Sequence, residues 1–437
     1  MTAVITGVGS VSALGLTQAE LLEKLGRGES GVRRITSFDA STFPTQVAGE
    51  VTRNQSSKGP ADMLASIRTL DALGARRPRS DPFRDRKVVF AGMAAEGAWR
   101  DANAGEAERD ASLVIATGLE QAFLEDFAPI FQASAAGGRA IHWDREGPSL
   151  PALWALSPPV RYRARVDLAA RCLATMLKLR GPTIVNVSAC AAGALAIAHA
   201  ASLIERGAVS IVVCGATDSM INPLGLGGMC RLGAPSPRNE VDACRPFDRN
   251  RDGLVIGEGA AMFVVEHEAR ARARGARIHA RILGWGSTQD AYRVTAPRPD
   301  GSAACRAMQR ALSRAKLAPE AIGYINAHGT GTPLNDPAEA KAIRGAFGAH
   351  ADRVAVSSIK GAVGHLMAAA GALELAASLL AFERDLLPGT ANHRDLDPEC
   401  PLDVIGPTPR PARVDALMSN SFGFGGQNAS IILGRPT

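Results

Sequence analysis

The feature that most constrains this chain is an alternation, repeated from end to end, of short apolar runs with Ala-rich stretches of helical length. The runs predicted to form strands are Ala3–Thr6, Leu113–Ile115, Ile184–Val187, Ile211–Val213, Met262–Val265, Ile322–Asn326, Val354–Val356 and Ser430–Leu433. The stretches predicted to form helices are Ala191–Glu205, Ala304–Ala315, Ala338–Phe347 and Met367–Phe382. Strands that alternate with helices of this length favour an α/β protein whose sheets are covered on both faces.

The length of the chain predicts two core-forming halves, because 437 residues exceed what one hydrophobic core usually serves. The helical stretch 268–275 is followed by a strand-like run over 278–286, where the alternation restarts. We therefore predict an N-terminal half of residues 1–275 and a C-terminal half of residues 276–437. No close sequence repeat relates the halves, so any similarity between them is expected to be structural.

Composition and charge narrow the function classes. The chain has no apolar run near the roughly 20 residues that a membrane-spanning helix needs. It begins with a strand-like run, MTAVITGVGSVSALG, rather than with the basic region of a signal peptide. We therefore expect a cytoplasmic protein that does not bind a membrane. The net charge of +6 is modest and no lysine-rich run is interleaved with aromatic residues, which argues against a nucleic-acid partner and favours an acidic protein.

The seven cysteines are widely spaced and form no Cys-x-x-Cys pair, which argues against a metal site and against a disulfide framework. Cys190 differs from the others in its surroundings, because a strand predicted over 183–187 runs into Ser188-Ala189-Cys190 and a helix follows at once. Its sulfur is expected beside the unpaired amides of the helix start, which favour the thiolate. The local pattern fits a catalytic cysteine and a buried structural one equally well.

A histidine stands at the end of another predicted strand, in the segment Tyr324–Asp336. His328 is placed where a loop can present it to a ligand, although a hydrogen-bonded core histidine is the alternative. The hydroxyls of Thr330 and Thr332 can form turns or bind an extended amide-containing arm. The pair Asp336-Pro337 predicts a helix start with the aspartate as N-cap acceptor.

A second histidine belongs to the segment SSIKGAVGH, which predicts that Lys360 ends a strand and that His365 opens a helix. Glu374 follows nine residues later, two and a half turns along that helix and on its opposite side. An unpaired carboxylate in so apolar a helix is costly, so we expect a buried ion pair between Lys360 and Glu374. Such a pair explains both residues structurally as well as functionally.

Three glycines surround Phe424 in the run SNSFGFGGQ near the C-terminus. Glycines permit close ligand approach and backbone shapes that other residues avoid. The run therefore predicts either a loop that contacts a ligand or a simple hairpin turn.

Taken together and in this order, the chemistry-bearing residues resemble those of the β-ketoacyl-acyl-carrier-protein synthases, in the elongating type II branch of the thiolase superfamily. The residues that carry the resemblance are Cys190, His328, Lys360, His365, Glu374 and the GFGG loop around Phe424. The resemblance begins at VITGVGSVSALG, includes RPFDRNRDGLVIGEGAAMFVVE at 245–266 and ends with NSFGFGGQN at 420–428. It implies the thiolase fold, with two similar α/β halves in a five-layered αβαβα arrangement.

The resemblance also implies a mechanism. Cys190 would accept an acyl group from the phosphopantetheine thiol of an acyl carrier protein, with no further cofactor and no metal. The backbone N–H groups of Cys190 and Phe424 would form the oxyanion hole, and Phe424 would act as a gate. His328 and His365 would bind the thioester carbonyl of a malonyl-type extender during decarboxylation. The remaining implied positions are Lys360 and Glu374 as a supporting polar pair, Thr330 and Thr332 against the pantetheine arm, Leu119 in the acyl pocket, and Arg231 against the carrier protein, with Arg84, Arg86 and Lys87 as further candidates for that contact.

Two departures leave the substrate and pathway open. Residues 116–121 are ATGLEQ where relatives carry glycines after the leucine position, and residues 128–165 do not follow the usual loop. Specialised polyketide or polyene biosynthesis is therefore at least as plausible as fatty acid synthesis. The family implies a dimer, either of identical chains or with a ketosynthase-like partner.

Two alternatives to an elongating synthase share the fold. A chain-length-factor subunit, which acts as a binding partner, would lack the nucleophile, whereas this chain has Cys190 and both histidines. A thiolase-type CoA enzyme would require a second cysteine near the C-terminal glycine loop, but the last cysteine, Cys400, stands well before that loop.

Overall fold

The computed structural model describes residues 2–52, 85–118 and 165–436. Within these ranges the strands are β1 (Ala3–Val11), β2 (Arg33–Arg34), β3 (Val47–Gly49), β4 (Ser112–Thr117), β5 (Thr183–Asn186), β6 (Ile211–Ser219), β7 (Ile256–His267), β8 (Ala280–Gln289), β9 (Tyr324–Asn326), β10 (Ala355–Ser357), β11 (Leu386–Leu387), β12 (Asp403–Val404), β13 (Arg410–Pro411), β14 (Ala416–Gly423) and β15 (Gln427–Gly434). Each of the predicted strands overlaps one of these.

The α-helices in the same ranges are α1 (Gln18–Gly26), α2 (Arg86–Asp101), α3 (Leu168–Met176), α4 (Ala192–Glu205), α5 (Pro223–Arg231), α6 (Glu268–Ala273), α7 (Ser302–Ala315), α8 (Asn335–Phe347), α9 (Lys360–Val363), α10 (Ala370–Ser378) and α11 (Leu380–Glu383). Short 3-10 turns precede α4 at Ala189–Ala191 and α10 at Met367–Ala369. The helix predicted over 367–382 is therefore divided into a 3-10 turn and two α-helices. No helix among the described residues combines the length and apolar character needed to cross a membrane.

One continuous sheet contains two sets of five strands with the same order. Across the sheet the order is β12-β10-β9-β14-β15-β8-β1-β7-β6-β4-β5. In the N-terminal set, β5-β4-β6-β7-β1, the strands stand third, second, fourth, fifth and first along the chain. The C-terminal set, β10-β9-β14-β15-β8, has the same arrangement. Residues 3–5 of β1 pair with residues 280–282 of β8 and join the two sets, and residue 275 lies between α6 and β8.

Helices form layers on both faces of each set. The apolar residues of α2 and α3 pack on one face of the N-terminal strands, and those of α7 and α8 pack on one face of the C-terminal strands. The helices α4 and α10 share a core with strands of both sets and form the central layer. The predicted thiolase fold, with two similar halves in five layers, is confirmed.

The two central helices cross at glycines. A Cβ atom at Gly193 of α4 would lie 2.8 Å from the backbone nitrogen of Ala372, and one at Gly371 of α10 would lie 3.0 Å from that of Ala194. The backbones therefore touch, which only residues without a side chain allow. This contact places the N-terminal ends of both helices next to each other, and the turns before these ends carry the candidate site.

Candidate active site

One cleft of about 340 Å³ collects side chains from both halves. The predicted site residues that line it are Cys190, His328, Thr330, Thr332, His365 and Phe424. Only the cysteine comes from the N-terminal half, where it follows β5. The others follow strands of the C-terminal half, so the cleft exists only because the two halves are packed together.

Cys190 lies on a tight turn between β5 and α4, as the sequence predicted. Ala189, which precedes it, has a φ of +46°, in the left-handed region that residues with a side chain rarely adopt. Gly423 packs against this turn, and a Cβ atom there would lie 3.2 Å from the Cys190 nitrogen. The hairpin between β14 and β15 thereby brings the backbone N–H of Phe424 to the sulfur.

The predicted thiolate is wrong for the free protein. Burial raises the pKa of the Cys190 thiol to about 11, and the Phe424 N–H and the Lys360 ammonium only partly oppose this rise. Two carboxylates, Asp218 and Glu374, raise the pKa further. The helix start does favour negative charge, but removal of the sulfur from water outweighs it, so Cys190 is a thiol at neutral pH.

His328 is fixed through its backbone and through its ring. Its backbone N–H and that of Gly329 donate to the two carboxylate oxygens of Glu339, at 2.8 and 2.7 Å. On the ring, Nδ1 lies 3.3 Å from the Lys360 ammonium, and Lys360 also donates to the His328 carbonyl oxygen. Because an ammonium has only donors, Nδ1 accepts and the proton of the neutral ring is on Nε2.

His365 does not open a helix, contrary to the prediction. Gly364, with a φ of +72°, ends α9. His365 therefore lies between α9 and the 3-10 turn, where its backbone forms a β-bridge with Ile256. The backbone N–H of Met367 donates to His365 Nδ1 at 3.0 Å. The neutral ring therefore also carries its proton on Nε2.

The two imidazoles form a pair of neutral donors. Their centroids lie 5.2 Å apart, with the rings at 82° to each other. Burial lowers the pKa of His328 and of His365 well below the usual value, and the positive charge of Lys360 lowers both further. Both rings are thus uncharged at neutral pH, and each has an N–H to offer to an oxygen atom in the cleft.

The predicted ion pair between Lys360 and Glu374 is confirmed. Lys360 begins α9 rather than ending a strand, and it is 1% exposed. Burial raises the pKa of Glu374, and the lysine opposes this rise. The pair lies behind His328, so Lys360 acts on the cleft through the imidazole and through its charge.

Comparison with known proteins identifies the family. Residues 2–271 match the β-ketoacyl synthase N-terminal domain, and residues 279–394 match the β-ketoacyl synthase C-terminal domain. The chain belongs to the β-ketoacyl synthase family. Members of this family are acyltransferases, and this synthase is therefore an enzyme of that class.

Relatives of the synthase come from fatty acid and polyketide metabolism. It is 39% identical over 435 residues to the 3-oxoacyl-[acyl-carrier-protein] synthase 2 of Coxiella burnetii, with 99% of this chain and 98% of the relative covered. It is 36% identical over 445 residues to the oxytetracycline polyketide putative beta-ketoacyl synthase 1 of Streptomyces rimosus, with 99% and 97% covered. Its chemistry is that of a ketosynthase.

Solved structures agree with the fold. The ishigamide ketosynthase/chain length factor superposes with a TM-score of 0.83 at 33% identity, over 100% of this chain and 99% of that one. A beta-ketoacyl synthase from Burkholderia phymatum gives the same TM-score and identity, with both chains covered completely.

The sequence analysis missed the roles of three charged residues of the synthase. Asp336 was predicted to cap α8, but that helix already begins at Asn335. The Asp336 carboxylate instead accepts backbone N–H groups of Phe247 at 2.8 Å and of Thr330 at 3.0 Å. Arg251 lies 3.8 Å from the same carboxylate. Glu339, whose pKa burial raises to about 7, holds His328 as described. Two acids on the buried face of one helix were the available signal.

Other predicted residues fall at the edge of the site or outside it. Arg231 is exposed at the end of α5, and the next residue, Leu232, lines the cleft. Arg86 and Lys87 do not belong to an exposed patch, because Arg86 pairs with Glu258 and Lys87 is buried. The positions lying beyond the described residues are Leu119, Arg84 and residues 128–164.

Proposed function

We propose that this synthase joins an acyl unit to a malonyl-type unit by decarboxylative Claisen condensation, with both units carried on the phosphopantetheine of acyl carrier protein. The observation that carries the proposal is the meeting of a buried thiol, Cys190, with two neutral imidazole donors in one cleft. Its relatives support the carrier. One solved structure holds a type II polyketide synthase acyl-carrier protein in complex with its ketosynthase, at 28% identity and a TM-score of 0.80, over 100% of this chain and 99% of that one.

The acyl-transfer step starts from the thiol of Cys190. Its Sγ attacks the thioester carbonyl, a new S–C bond replaces the bond to the pantetheine sulfur, and the thiol proton passes to that departing sulfur. The oxyanion of the tetrahedral intermediate accepts hydrogen bonds from the backbone N–H groups of Cys190 and Phe424. Donors that are already in place before charge develops lower the barrier without reorganisation.

The condensation step uses the two histidines. The bond between the extender and its carboxylate breaks, carbon dioxide leaves, and the electron pair moves onto the thioester oxygen as an enolate. His328 and His365 donate to that oxygen from Nε2. The enolate carbon then attacks the acyl carbonyl, the S–C bond to Cys190 breaks, and the departing thiolate takes up a proton from water. Neutral donors suit both steps, because no proton has to be removed from either ring.

Four further residues support these steps. Lys360, whose charge is balanced by Glu374, donates to Nδ1 of His328. The proton of the ring therefore stays on Nε2, which lies on the far side of the ring from the lysine. The hydroxyls of Thr330 and Thr332 lie 2.8 Å apart on the cleft wall and are placed to hydrogen-bond the amides of a pantetheine arm.

Apolar side chains at the cleft mouth suit a docked carrier protein. Leu232, Val294 and Leu334 line the cleft, and they are 53%, 78% and 63% exposed. Exposed apolar residues around a basic residue are typical of an interaction site for an acidic protein. Arg231, next to Leu232, is the basic residue that we assign to this contact.

The edge strand β5 supports a dimer. It closes one end of the sheet, its apolar residues are only partly buried, and Val187 just beyond it is 38% exposed. Among the described residues no further strand pairs with β5, and an apolar edge strand invites pairing with another chain. We assign β5 to the interface with an identical chain or with a ketosynthase-like partner.

The pathway is assigned from the relatives. Because they come from fatty acid synthesis and from polyketide synthesis, they support a place for this synthase in either of the two.

Acylation measured by intact mass tests the proposal. The purified protein is incubated with a panel of acyl-carrier-protein thioesters, and we expect an acyl adduct on the wild type and none on Cys190→Ala. Cys305→Ala is the matched control, because that thiol lies on α7 in the outer layer, and it should be acylated like the wild type. A wild-type protein that no donor acylates would contradict the proposal and favour the chain-length-factor role.

A further inference from the structure

The 3-10 turn that follows His365 is fastened to the other half of the molecule. Its first residue, Met367, has a φ of +48°, in the left-handed region that is strained for a residue with a side chain. Two consecutive backbone N–H groups hold the turn in place. Met367 donates to His365 Nδ1 at 3.0 Å, and Ala368 donates to Asp218 Oδ2 at 2.9 Å. Asp218 belongs to β6 of the N-terminal half, so the orientation of the imidazole depends on a carboxylate from the opposite half.

Asp218 is held rigidly. Its other oxygen, Oδ1, accepts the backbone N–H of Ser219 at 2.8 Å. Directly after the neighbouring strand β4, a Cβ atom at Gly118 would lie 2.3 Å from Oδ1, so the carboxylate packs directly against backbone. The side chain is 2% exposed. With both oxygens engaged and no room to move, Asp218 fixes the position of the Ala368 amide.

A buried lysine favours the charged form of this carboxylate. Burial raises the pKa of Asp218, and the charge of Lys87 opposes this rise. Lys87, which is 3% exposed, also lies 3.5 Å from Asp85 Oδ1 at the start of α2. A buried cation beside two carboxylates is costly unless the charges compensate one another. The charge of Lys87 therefore favours the anionic form of Asp218 beneath the histidine turn, whereas the like charge of Asp85 opposes it.

We propose that Asp218, with Lys87 as its counter-charge, is a positioning residue for His365. The inference rests on the proposed function, in which His365 donates to the enolate oxygen. Asp218 does not need to touch the substrate. It holds Ala368, the strained turn holds Met367, and Met367 in turn fixes the tautomer and the direction of the imidazole. Loss of the Asp218 acceptor releases the turn and moves the His365 Nε2–H away from the extender. Decarboxylation is therefore impaired, whereas acyl transfer to Cys190 is not.

The two half-reactions separate this role from a structural one. Acyl transfer to Cys190 is followed by intact mass, and decarboxylation is followed by release of carbon dioxide from malonyl-acyl-carrier protein. For Asp218→Ala we expect decarboxylation to fall roughly 10- to 100-fold, as a displacement of about 1 Å at a reacting group predicts. Acyl transfer should be unchanged or faster, because Asp218 raises the pKa of Cys190. Asp218→Asn keeps an oxygen acceptor and should recover most of the lost decarboxylation.

A second buried carboxylate provides the matched control. Glu266 is fully buried and paired with arginines at the end of β7 opposite to the site, so Glu266→Gln should lower both half-reactions equally or neither. Equal loss of both half-reactions in Asp218→Ala and Glu266→Gln, or full decarboxylation in Asp218→Ala, would overturn the inference. The wild type reports on the proposed function separately, because it must perform both half-reactions whatever the variants do.

Discussion

The two halves of this synthase use one strand order but place different chemistry on it. In the N-terminal half, β5 ends at Asn186 and the 3-10 turn begins at Ala189, so only residues 187 and 188 intervene. In the C-terminal half, β10 ends at Ser357 and the corresponding turn begins at Met367, after the intervening residues 358–366. The short connection presents a nucleophile, whereas the long one adds room for a lysine and a histidine.

The turns themselves are equivalent in detail. Each begins with a residue in the left-handed region, Ala189 at +46° and Met367 at +48°. From the last residue of each turn into the helix that follows, the two halves share the sequence Ala-Ala-Gly-Ala-Leu, at residues 191–195 and 369–373. Cys190 therefore corresponds to Ala368, and the expectation that no close repeat relates the halves is wrong for this short segment. One half uses the position for a thiol, and the other uses its backbone N–H to bind Asp218.

The comparison predicts that the chemistry of the two halves can be separated, and the largest effect should come from the histidines. We expect His365→Ala to lower decarboxylation of malonyl-acyl-carrier protein roughly 10²–10³-fold, since one preorganised donor to the enolate oxygen is lost. Acylation of Cys190 should continue. His365→Asn restores an N–H donor and should recover part of the rate. Release of carbon dioxide measures decarboxylation, and intact mass measures acylation of Cys190, so the two half-reactions are followed independently.

A histidine outside the cleft controls for this experiment. His350 contacts the backbone oxygen of Ile322, and His350→Ala should leave the ratio of the half-reactions unchanged. If His365→Ala lowered acylation as strongly as decarboxylation, the assignment of His365 to decarboxylation alone would be wrong.

The inserted residues 358–366 also supply the lysine of the buried ion pair, which gives the next largest effect. Lys360→Met leaves Glu374 buried without its cation, and we expect a loss of about 3–5 kcal/mol in the free energy of unfolding. The double variant Lys360→Met/Glu374→Leu should regain most of this stability but not the decarboxylation, because His328 has lost its positive neighbour. Denaturant titration and the decarboxylation assay together distinguish the two roles.

An exposed ion pair calibrates the same measurement. Arg344 and Asp352 pair at the surface, at 2.6 Å, and Arg344→Met should cost at most about 1 kcal/mol. A Lys360→Met/Glu374→Leu protein with normal decarboxylation would show that the pair serves stability alone.

Much of this arrangement was predictable from local sequence, and the remainder depended on distant parts of the chain. The order of strands and helices follows from apolar runs, and the partner of Glu374 follows from the cost of an unpaired acid in an apolar helix. The protonation of Cys190 does not, because segments far along the chain bury the sulfur. The inward direction of Lys87 also escaped prediction, since its run of basic residues is typical of a solvated surface. The roles of the site residues stay predictions.

Variants at the crossing of α4 and α10 test whether close packing of the two halves stabilises the protein. Gly193→Ala places a Cβ atom 2.8 Å from the Ala372 nitrogen, and we expect it to destabilise the protein by about 1–3 kcal/mol, the usual cost of overpacking. The control is Gly228→Ala, in the helix α5, where no atom of the described residues lies within 4 Å of the new atom. It should be neutral or stabilise by up to about 1 kcal/mol. Equal effects of the two variants in denaturant titrations would show that the crossing is not closely packed.

The smallest predicted effect concerns a second link between the halves and depends on pH. His279, at the start of the C-terminal half, lies 2.8 Å from the Asp101 carboxylate of α2 and 3.3 Å from Glu383 of α11. Burial lowers the pKa of His279, but the two carboxylates raise it more, against the opposing charge of Arg277, so the folded pKa lies above the usual value. Its stabilisation is therefore complete below the unfolded pKa of about 6.5 and is lost as the pH rises through the folded pKa. We expect His279→Gln to cost on the order of 1 kcal/mol more at pH 6 than at pH 9, as for a charge-assisted contact. A cost that is the same at both pH values would mean that His279 joins the halves by packing rather than by charge.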